Sequence, residues 1–223
     1  MRSLLVLAGS LALGACQPAA DAAETIVAAP PAERIARETG ELKTAIFAGG
    51  CFWGVEGVFS HVKGVKSAVS GYHGGAERQA RYDLVSSGVT DHAEAVRVVY
   101  DPAVVRYDEL VRIFFSVVAD PTLKNRQGPD IGAHYRTALI PIGAEQRAVA
   151  GAYLAQMEAS GKWSRPIVAK IEPARTFFPA EAKHQDFLAK NPDNRYVERW
   201  DRPKIAALER LYPAHYRSRF QRG

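Results

Sequence analysis

The 223 residues suit a single domain, or one domain with extensions, and a hydrophobic content of 47% can supply a substantial core. The formal net charge is +5, and the basic residues are spread along the chain without a dense run. A spread surplus of this kind is typical of a solvated surface, so the composition argues against a nucleic-acid-binding protein.

The first part of the chain predicts an export signal. Arg2 gives it a positive start, and the apolar run 4–13 is too short to span a bilayer. The run leads into Leu-Gly-Ala-Cys, ending at Cys16, which resembles a bacterial lipobox. We therefore expect a lipoprotein-type signal peptide at 1–15, lipid on Cys16, and anchoring on the periplasmic face of a bacterial membrane. An ordinary signal peptide cleaved near the same point is the alternative.

Residues 16–43 are rich in alanine, proline and glutamate, which predicts a tether between the membrane and a domain, with room for a short helix within 32–38. The catalytic domain is expected at 44–223, including a C-terminal extension. If Cys16 carries lipid, Cys51 is the remaining thiol of the two cysteines, and no internal disulfide is expected. The two cysteines and the scattered histidines give no zinc-ligand spacing.

A cysteine lies between the first predicted strand, 44–48, and the first predicted helix, 55–62. The glycines at 49 and 50 allow the tight turn that places Cys51 there. A helix N-terminus presents unpaired N–H groups and the positive end of the helix dipole, which favours a thiolate. A lone cysteine after a strand is often only a small buried hydrophobic residue, so this feature alone leaves a catalytic role open.

The rest of the chain mixes strands and helices without strict alternation, which predicts an α+β fold. Apolar patterns and turn residues predict strands at 65–70, 93–100, 136–140 and 167–171, helices at 107–118, 144–159, 180–190 and 204–211, and loops at 71–80 and 119–134. The last helix is expected to lie on the surface.

Glu94 lies near the start of the predicted strand 93–100, among apolar neighbours. A buried glutamate has a raised pKa, which suits a general acid that works near neutral pH. The alternative is a carboxylate on an edge strand that faces water.

Several stretches, in order from about Thr44 to about Pro192, resemble the A-type peptide-methionine sulfoxide reductases. They are GCFWGVE (50–56), GYHGG (71–75), Tyr82, GVTDHAEAV (88–96), DPT (120–122), NRQGPDIG (125–132), YR (135–136), AE (180–181) and HQ (184–185). One such motif alone would be weak, whereas several in the same order make a chance match implausible.

The resemblance implies a two-layer α/β sandwich with a mixed sheet and a ferredoxin-like core. It implies an oxidoreductase that reduces methionine (S)-S-oxide, free or in proteins, without a cofactor. Cys51 would attack the sulfoxide sulfur and become a sulfenic acid, and Glu94 would act as the acid. The implied substrate-binding residues are Phe52 and Trp53 for the methyl group, Tyr82 and Tyr135 for the oxygen, and Asp130, which helps to arrange the site.

One departure from the family pattern concerns recycling. Many members carry a resolving cysteine in the tail after an Asn-Pro pair, which matches Asn191-Pro192, but here Val197 stands at about that position and no cysteine follows. We therefore expect an external reductant, either a small thiol or a thioredoxin-like protein. The export signal makes oxidised exported proteins the expected substrates for repair.

Two other classes of function remain open on the sequence. The first is a hydrolase or transferase that pairs Cys51 with His92 or His184 as base, although Phe52 and Trp53 directly after the cysteine speak mildly against it. The second is a non-catalytic lipoprotein module that binds or assembles with other molecules.

Overall fold

The computed structural model describes residues 26–223. The predicted signal peptide, the predicted lipidation site Cys16 and the first part of the predicted tether lie outside the described residues.

Eight strands lie within the described part of the chain. They are β1 (Lys43–Ala48), β2 (Val65–His73), β3 (Ala93–Tyr100), β4 (Arg126–Gln127), β5 (Asp130–Ile131), β6 (Ala138–Ile140), β7 (Lys170–Ile171) and β8 (Phe177–Pro179).

Six α-helices accompany these strands in residues 26–223. They are α1 (Phe52–Ser60), α2 (Tyr82–Ser86), α3 (Tyr107–Ile113), α4 (Ala144–Ala159), α5 (Phe187–Lys190) and α6 (Arg202–Leu211). Short 3₁₀ turns occur at Glu77–Gln79 and Ala133–Tyr135, and π-helical segments occur at Phe114–Val118 and Val197–Asp201.

A six-stranded sheet in the order β7-β6-β1-β3-β2-β8 forms one layer of the fold. Neighbouring strands are antiparallel except β6 and β7, which run parallel, and β4 pairs with β5 in a separate hairpin. The predicted α+β class with a mixed sheet is therefore confirmed. The central strand β1 ends in four consecutive buried apolar residues, 45–48, as burial on both faces requires.

The main core lies between one face of the sheet and the helices α1, α3, α4 and α6. Phe47 of β1 is fully buried there, with its ring centroid 4.6 Å from that of Phe59 and 5.3 Å from that of Phe114. Ile46 points to the other face, as the alternation of a strand requires, and joins a smaller cluster of alanines and Ile140. This packing holds the end of β1, and therefore the start of α1, in a fixed position.

The described part of the predicted tether packs on the domain. Residues 26–42 contain no helix, so the short helix considered within 32–38 does not form. The backbone N–H of Ala29 donates to Ser116 Oγ at 3.0 Å, and that of Ala36 donates to Asp108 Oδ1 at 2.9 Å. Both alanines are buried, so this segment belongs to the folded domain.

Helix α6 contributes to the core, and the prediction of a surface helix is wrong in that respect. Ala207 and Leu208 are buried in the main cluster, and the chain beyond them returns along the end of α1. There the N–H of Gln221 donates to the carbonyl of Ser60 at 2.9 Å. No helix in residues 26–223 is both long enough and apolar enough to cross a membrane.

Two predicted elements differ more strongly from the structure. The predicted helix 180–190 is helical only in α5, because Asp186 adopts a left-handed conformation with φ of 54° that interrupts it. The predicted loop 71–80 begins with three residues of β2, because Gly71 leaves space for Phe177 of the neighbouring strand. A β-carbon at Gly71 would stand 2.4 Å from the Phe177 ring.

Candidate active site

The candidate site is built on the turn between β1 and α1. Gly50 has a positive φ of 85°, and a β-carbon at this position would stand 2.6 Å from Gln127 Cβ. Glycine is therefore needed both for the backbone conformation and for the close approach to Gln127. This turn places Cys51 immediately before the first residue of α1.

Cys51 is partly exposed at the N-terminus of α1. A hydrogen bond from the backbone of Trp53 lowers the pKa of the thiol, in the direction that the sequence predicts. Burial and the carboxyl groups of Glu94, Asp201 and Asp130 raise the pKa by more, so it lies well above its ordinary value. The helix N-terminus alone therefore does not produce a thiolate, and the predicted preference for one is outweighed in the free protein.

Glu94 lies on β3, opposite Tyr72 of β2, and only 1% of its surface is exposed. Its Oε2 accepts a hydrogen bond from the backbone N–H of Phe52 at 3.0 Å, which joins it to the first turn of α1. Burial raises the pKa of this carboxyl to about 8, although the Phe52 N–H acts in the opposite direction. Glu94 therefore carries a proton at neutral pH, and the alternative of an edge-strand carboxylate in water is wrong.

The structure brings three further predicted residues to the same place. Tyr82 begins α2, Asp130 lies on β5 and Tyr135 ends the 3₁₀ turn that follows. Burial raises the pKa of the Tyr135 hydroxyl, and the charges of Glu94, Asp130 and Cys51 add to the rise. These five groups are therefore close enough to interact electrostatically, and two phenolic O–H donors stand near the thiol and the carboxylic acid.

Glu181 holds Tyr82 in position. Its Oε1 accepts the backbone N–H of Tyr82 at 2.9 Å, and its Oε2 accepts the hydroxyl of Tyr72 at 2.8 Å. The sequence marked Glu181 only as part of a motif, whereas the structure shows a carboxylate that ties α2 to the central sheet.

Phe52 and Trp53 form an aromatic wall beside Cys51. The Phe52 ring is fully buried, and the Trp53 ring lies parallel to that of Phe187 with a centroid distance of 3.7 Å. The indole N–H of Trp53 donates to Nδ1 of His184 at 3.3 Å. These contacts fix the orientation of the wall before any substrate binds.

The C-terminal segment supplies two residues that sequence reasoning missed. The hydroxyl of Tyr196 donates a hydrogen bond to Asp130, and the edge of its ring lies against Trp53 with a centroid distance of 5.9 Å. Asp201 is buried beside Gly54 in α1. Val197, at the position considered for a resolving cysteine, is fully buried. In the sequence, only the position of Tyr196 next to Val197, where a resolving cysteine was considered, could have drawn attention to it. No sequence pattern pointed to Asp201.

Neither histidine considered as a partner for Cys51 is arranged as its base. The Nδ1 atom of His92 accepts the backbone N–H of Gly75, and its Nε2 faces the carbonyl of Ala76 at 3.0 Å, so both nitrogens are engaged. His184 accepts the Trp53 N–H and stacks on the site's aromatic rings. The geometry does not favour a Cys-His hydrolase.

Residues 26–223 contain no group of three or more histidine, cysteine, aspartate or glutamate side chains placed to hold a metal ion.

The fold and this site together define an α+β protein with a cysteine at the start of a helix beside a buried carboxyl group. The family model described as peptide methionine sulfoxide reductase matches residues 43–215. The chain therefore belongs to the peptide methionine sulfoxide reductase family. The predicted enzyme class is confirmed by curated relatives of the A type.

The chain is 50% identical over 174 residues to peptide methionine sulfoxide reductase MsrA 2 of Mesorhizobium japonicum, covering 78% of this chain and 89% of that protein. It is 46% identical over 189 residues to MsrA 2 of Synechocystis, covering 85% and 87% of the two chains.

Solved structures show the same fold. Reduced Mxr1 from Saccharomyces cerevisiae superposes with a TM-score of 0.61 at 33% identity, covering 73% of this chain and 92% of that one. Methionine sulfoxide reductase A of Corynebacterium diphtheriae gives a TM-score of 0.58 at 32% identity, with coverages of 71% and 79%.

Proposed function

We propose that this protein reduces methionine (S)-S-oxide, free or in oxidised proteins, with Cys51 as the nucleophile and Glu94 as the acid. Family membership supports the reaction class. The observation that carries the assignment of roles is the buried Glu94 carboxyl, protonated at neutral pH and hydrogen-bonded to the residue next to Cys51.

In the proposed reaction the Cys51 thiolate attacks the sulfur of the sulfoxide. Glu94 delivers its proton to the sulfoxide oxygen while the hydroxyls of Tyr82 and Tyr135 donate hydrogen bonds to it. The oxygen then passes to Cys51, which becomes a sulfenic acid, and methionine leaves. The Cys51 sulfur is oxidised by two electrons, and the sulfoxide sulfur is reduced by two.

The raised pKa values of both reacting groups couple the two proton movements. In the free protein Cys51 is a thiol and Glu94 a carboxylic acid. The attack requires a proton to leave Cys51 while another reaches the sulfoxide oxygen, so the pair titrates as a unit. Binding of a sulfoxide, whose sulfur carries partial positive charge, favours the thiolate at the moment when it is needed.

A site with apolar and polar parts would distinguish the two sulfoxide epimers. In this proposal the partly exposed Trp53 ring, with the buried Phe52 ring at a centroid distance of 6.5 Å, accepts the methyl group, and the O–H groups of Glu94, Tyr82 and Tyr135 bind the oxygen. One epimer places methyl and oxygen correctly, and the other exchanges them and leaves polar groups without partners.

Recycling is proposed to use an external thiol, either a small molecule or a thioredoxin-like protein. Cys51 is the free cysteine of residues 26–223, and the buried Val197 stands at the position considered for a resolving cysteine. A first external thiol would displace water from the sulfenic acid and form a mixed disulfide. A second thiol would release Cys51 and leave as a disulfide with the first.

The test offers each sulfoxide epimer to the protein with dithiothreitol and follows both by chiral chromatography. We expect the S epimer alone to disappear, and Cys51→Ala to abolish its loss. With one equivalent of substrate and no thiol, intact mass should rise by one oxygen atom. Loss of two hydrogens, the mark of an intramolecular disulfide, would contradict the recycling scheme. A Cys16→Ser variant controls for the second cysteine of the full chain.

We further propose that the chain is exported and anchored by lipid on Cys16, where it would repair oxidised exported proteins. The support is the lipobox-like sequence alone. Expression in a bacterium, with membrane fractionation of the wild type and of Cys16→Ala, tests this point. Recovery of both in the same soluble fraction would contradict the anchor without affecting the enzymatic proposal.

A further inference from the structure

The guanidinium group of Arg136 lies where three segments of the chain meet. Its Nε and Nη2 atoms donate to the two carboxylate oxygens of Glu172 at 2.7 and 3.2 Å. Nη2 also donates to the carbonyl of Asp91 at 3.1 Å, and Nη1 donates to the carbonyl of Ala133 at 3.2 Å. One side chain therefore ties the 3₁₀ turn Ala133–Tyr135 to the segment before β3 and to the residue after β7.

The ion pair between Arg136 and Glu172 is partly buried, with 20% and 19% of the two side chains exposed. Exposed ion pairs contribute little, because water screens them and two mobile side chains must be held in one place. This pair has two parallel hydrogen bonds in the fork geometry that arginine provides. Lysine would keep the charge, but its single ammonium group cannot reproduce the planar fork.

Gly74 leaves the space that the guanidinium group occupies. It has a φ of 105°, and a β-carbon at this position would stand 2.9 Å from Nη2 of Arg136. The same β-carbon would stand 3.2 Å from the carbonyl oxygen of Asp91, which accepts the Nη2 hydrogen bond. The motif GYHGG (71–75) therefore contributes to this junction, whereas the sequence marked it only as part of a resemblance.

Tyr135 is the proposed site residue that this junction supports. It ends the 3₁₀ turn and directly precedes Arg136. Its backbone N–H donates to the carbonyl of Gly132 at 3.0 Å, and that of Arg136 donates to the carbonyl of Ala133 at 3.3 Å. A 3₁₀ turn has poorer hydrogen-bond geometry than an α-helix. The side-chain contacts of Arg136 add to these two bonds and hold the turn against the neighbouring segments.

We propose that Arg136, through its ion pair with Glu172, is a positioning residue for the hydroxyl of Tyr135. This inference rests on the proposed function, in which that hydroxyl donates a hydrogen bond to the sulfoxide oxygen. Arg136 acts through the turn and not on the substrate. A donor that is held in place in advance needs no reorganisation during the reaction, so a small displacement of the turn is costly.

The test is a double-mutant cycle in kcat/KM for methionine (S)-S-oxide, built from Arg136→Lys and Tyr135→Phe. We expect Arg136→Lys alone to lower kcat/KM by about tenfold, and Tyr135→Phe alone to lower it by about a hundredfold. In the Tyr135→Phe background, Arg136→Lys should have no further effect, because the hydroxyl that it positions is gone. A merely structural role would lower kcat/KM by the same factor in both backgrounds.

Glu172→Gln tests the junction from its other partner. It keeps the size of the side chain, and its amide oxygen still accepts one of the two hydrogen bonds, so kcat/KM should fall by less than in Arg136→Lys. The matched control is Arg106→Lys, at the start of α3, where the arginine holds Asp108 through the same fork at 3.1 and 3.0 Å. This control should keep the wild-type kcat/KM, and thermal melting should show every variant folded at the assay temperature.

An unchanged kcat/KM in Arg136→Lys, or an equal loss in both backgrounds, would overturn the inference. It would also fall if Tyr135→Phe kept full activity, because its hydroxyl would then have no role. Failure of the proposed function shows separately, since the wild type would then leave methionine (S)-S-oxide unreduced.

Discussion

Gly54 and Asp201 are in such close contact that the position of a β-carbon at residue 54 lies 2.4 Å from Oδ1 of Asp201. Gly54 is in the first turn of α1, three residues after Cys51, and Asp201 ends the π-helical segment of the C-terminal extension. Asp201, remote in sequence, thus lies close to the turn that carries Cys51, because position 54 of the helix lacks a side chain.

This contact predicts the effect of Gly54→Ala. The added methyl group must push Asp201 away, and we expect a loss of about 1 to 3 kcal/mol in the free energy of unfolding. Gly151→Ala is the control, since it also lies inside a helix but its nearest atom is 4.0 Å from the new carbon. That substitution should stabilise the protein by roughly 0.5 to 1 kcal/mol. Urea unfolding of both variants measures the difference, and equal behaviour would contradict the crowding.

Asp201→Asn should lower the pKa of Cys51, because one of the carboxylates that raise it is replaced by a neutral amide. We expect the pH profile of Cys51 alkylation by iodoacetamide to move to lower pH. Glu198→Gln, an exposed change in the same π-helical segment, should leave the profile in place. A purely structural role for Asp201 would change stability without moving this profile.

Glu94→Gln should remove the high-pH limit on activity. Because the pKa of Glu94 is raised to about 8, Glu94 loses its proton as the pH rises through that value, and the proposed reaction would then lose its acid. The glutamine can still donate a hydrogen bond, so we expect kcat to fall by roughly 10² and less than in Cys51→Ala. The rate of the variant should not decline as the pH rises through about 8. An unchanged rate at every pH would show that Glu94 is not the acid.

Tyr196→Phe should lower kcat/KM by about tenfold, because it removes the hydrogen bond to Asp130 but keeps the ring against Trp53. The control is Tyr216→Phe, whose ring stacks on His61 away from the site. Thermal melting should show both variants folded. If Tyr196→Phe keeps full activity, the hydroxyl does not help to position Asp130.

Glu56→Gln should reduce the loss of stability with rising pH. Glu56 is buried in α1, accepts hydrogen bonds from Ser70 and the Asp186 backbone, and has its pKa raised from 4.5 to about 7 by burial. Between these values the folded state binds more protons than the unfolded state, so stability falls as pH rises. This group accounts for roughly 3 kcal/mol of that fall.

Urea unfolding at several pH values across this range measures the slope for Glu56→Gln. The exposed Glu158→Gln should retain the wild-type slope. Parallel stability curves for the wild type and Glu56→Gln would contradict a buried carboxyl that titrates in this range.

The sequence correctly predicted those elements whose bounds depend on residues within the element or directly next to it. The strand 93–100 and the helix 144–159 have the predicted bounds, because the strand ends at the turn residues Asp101-Pro102 and the helix follows turn residues and ends before Gly161. The predicted helix 180–190 failed because the geometry there depends on contacts distant in sequence. Gln185, for example, donates to the carbonyl of Ser70 at 2.8 Å on β2.

The residues of the candidate site likewise divide into those that the sequence predicts and those that only the structure reveals. Cys51 and Glu94 could be found because a glycine turn and a carboxylate in an apolar strand are visible in the sequence. Tyr196 and Asp201 could not, since only the return of the C-terminal segment onto α1 gives them neighbours in the site. The sequence could not predict the raised pKa of the Cys51 thiol either, because that pKa depends on burial and on charges from three other elements.

The packing of the segment that contains Ala29 would limit how far an enzyme anchored by lipid could reach from the membrane. If lipid is attached at residue 16, the chain between that point and Ala29 spans at most about 45 Å when fully stretched. The reaction would then be confined to a thin layer of the cell envelope, and only oxidised proteins that enter this layer would be within reach.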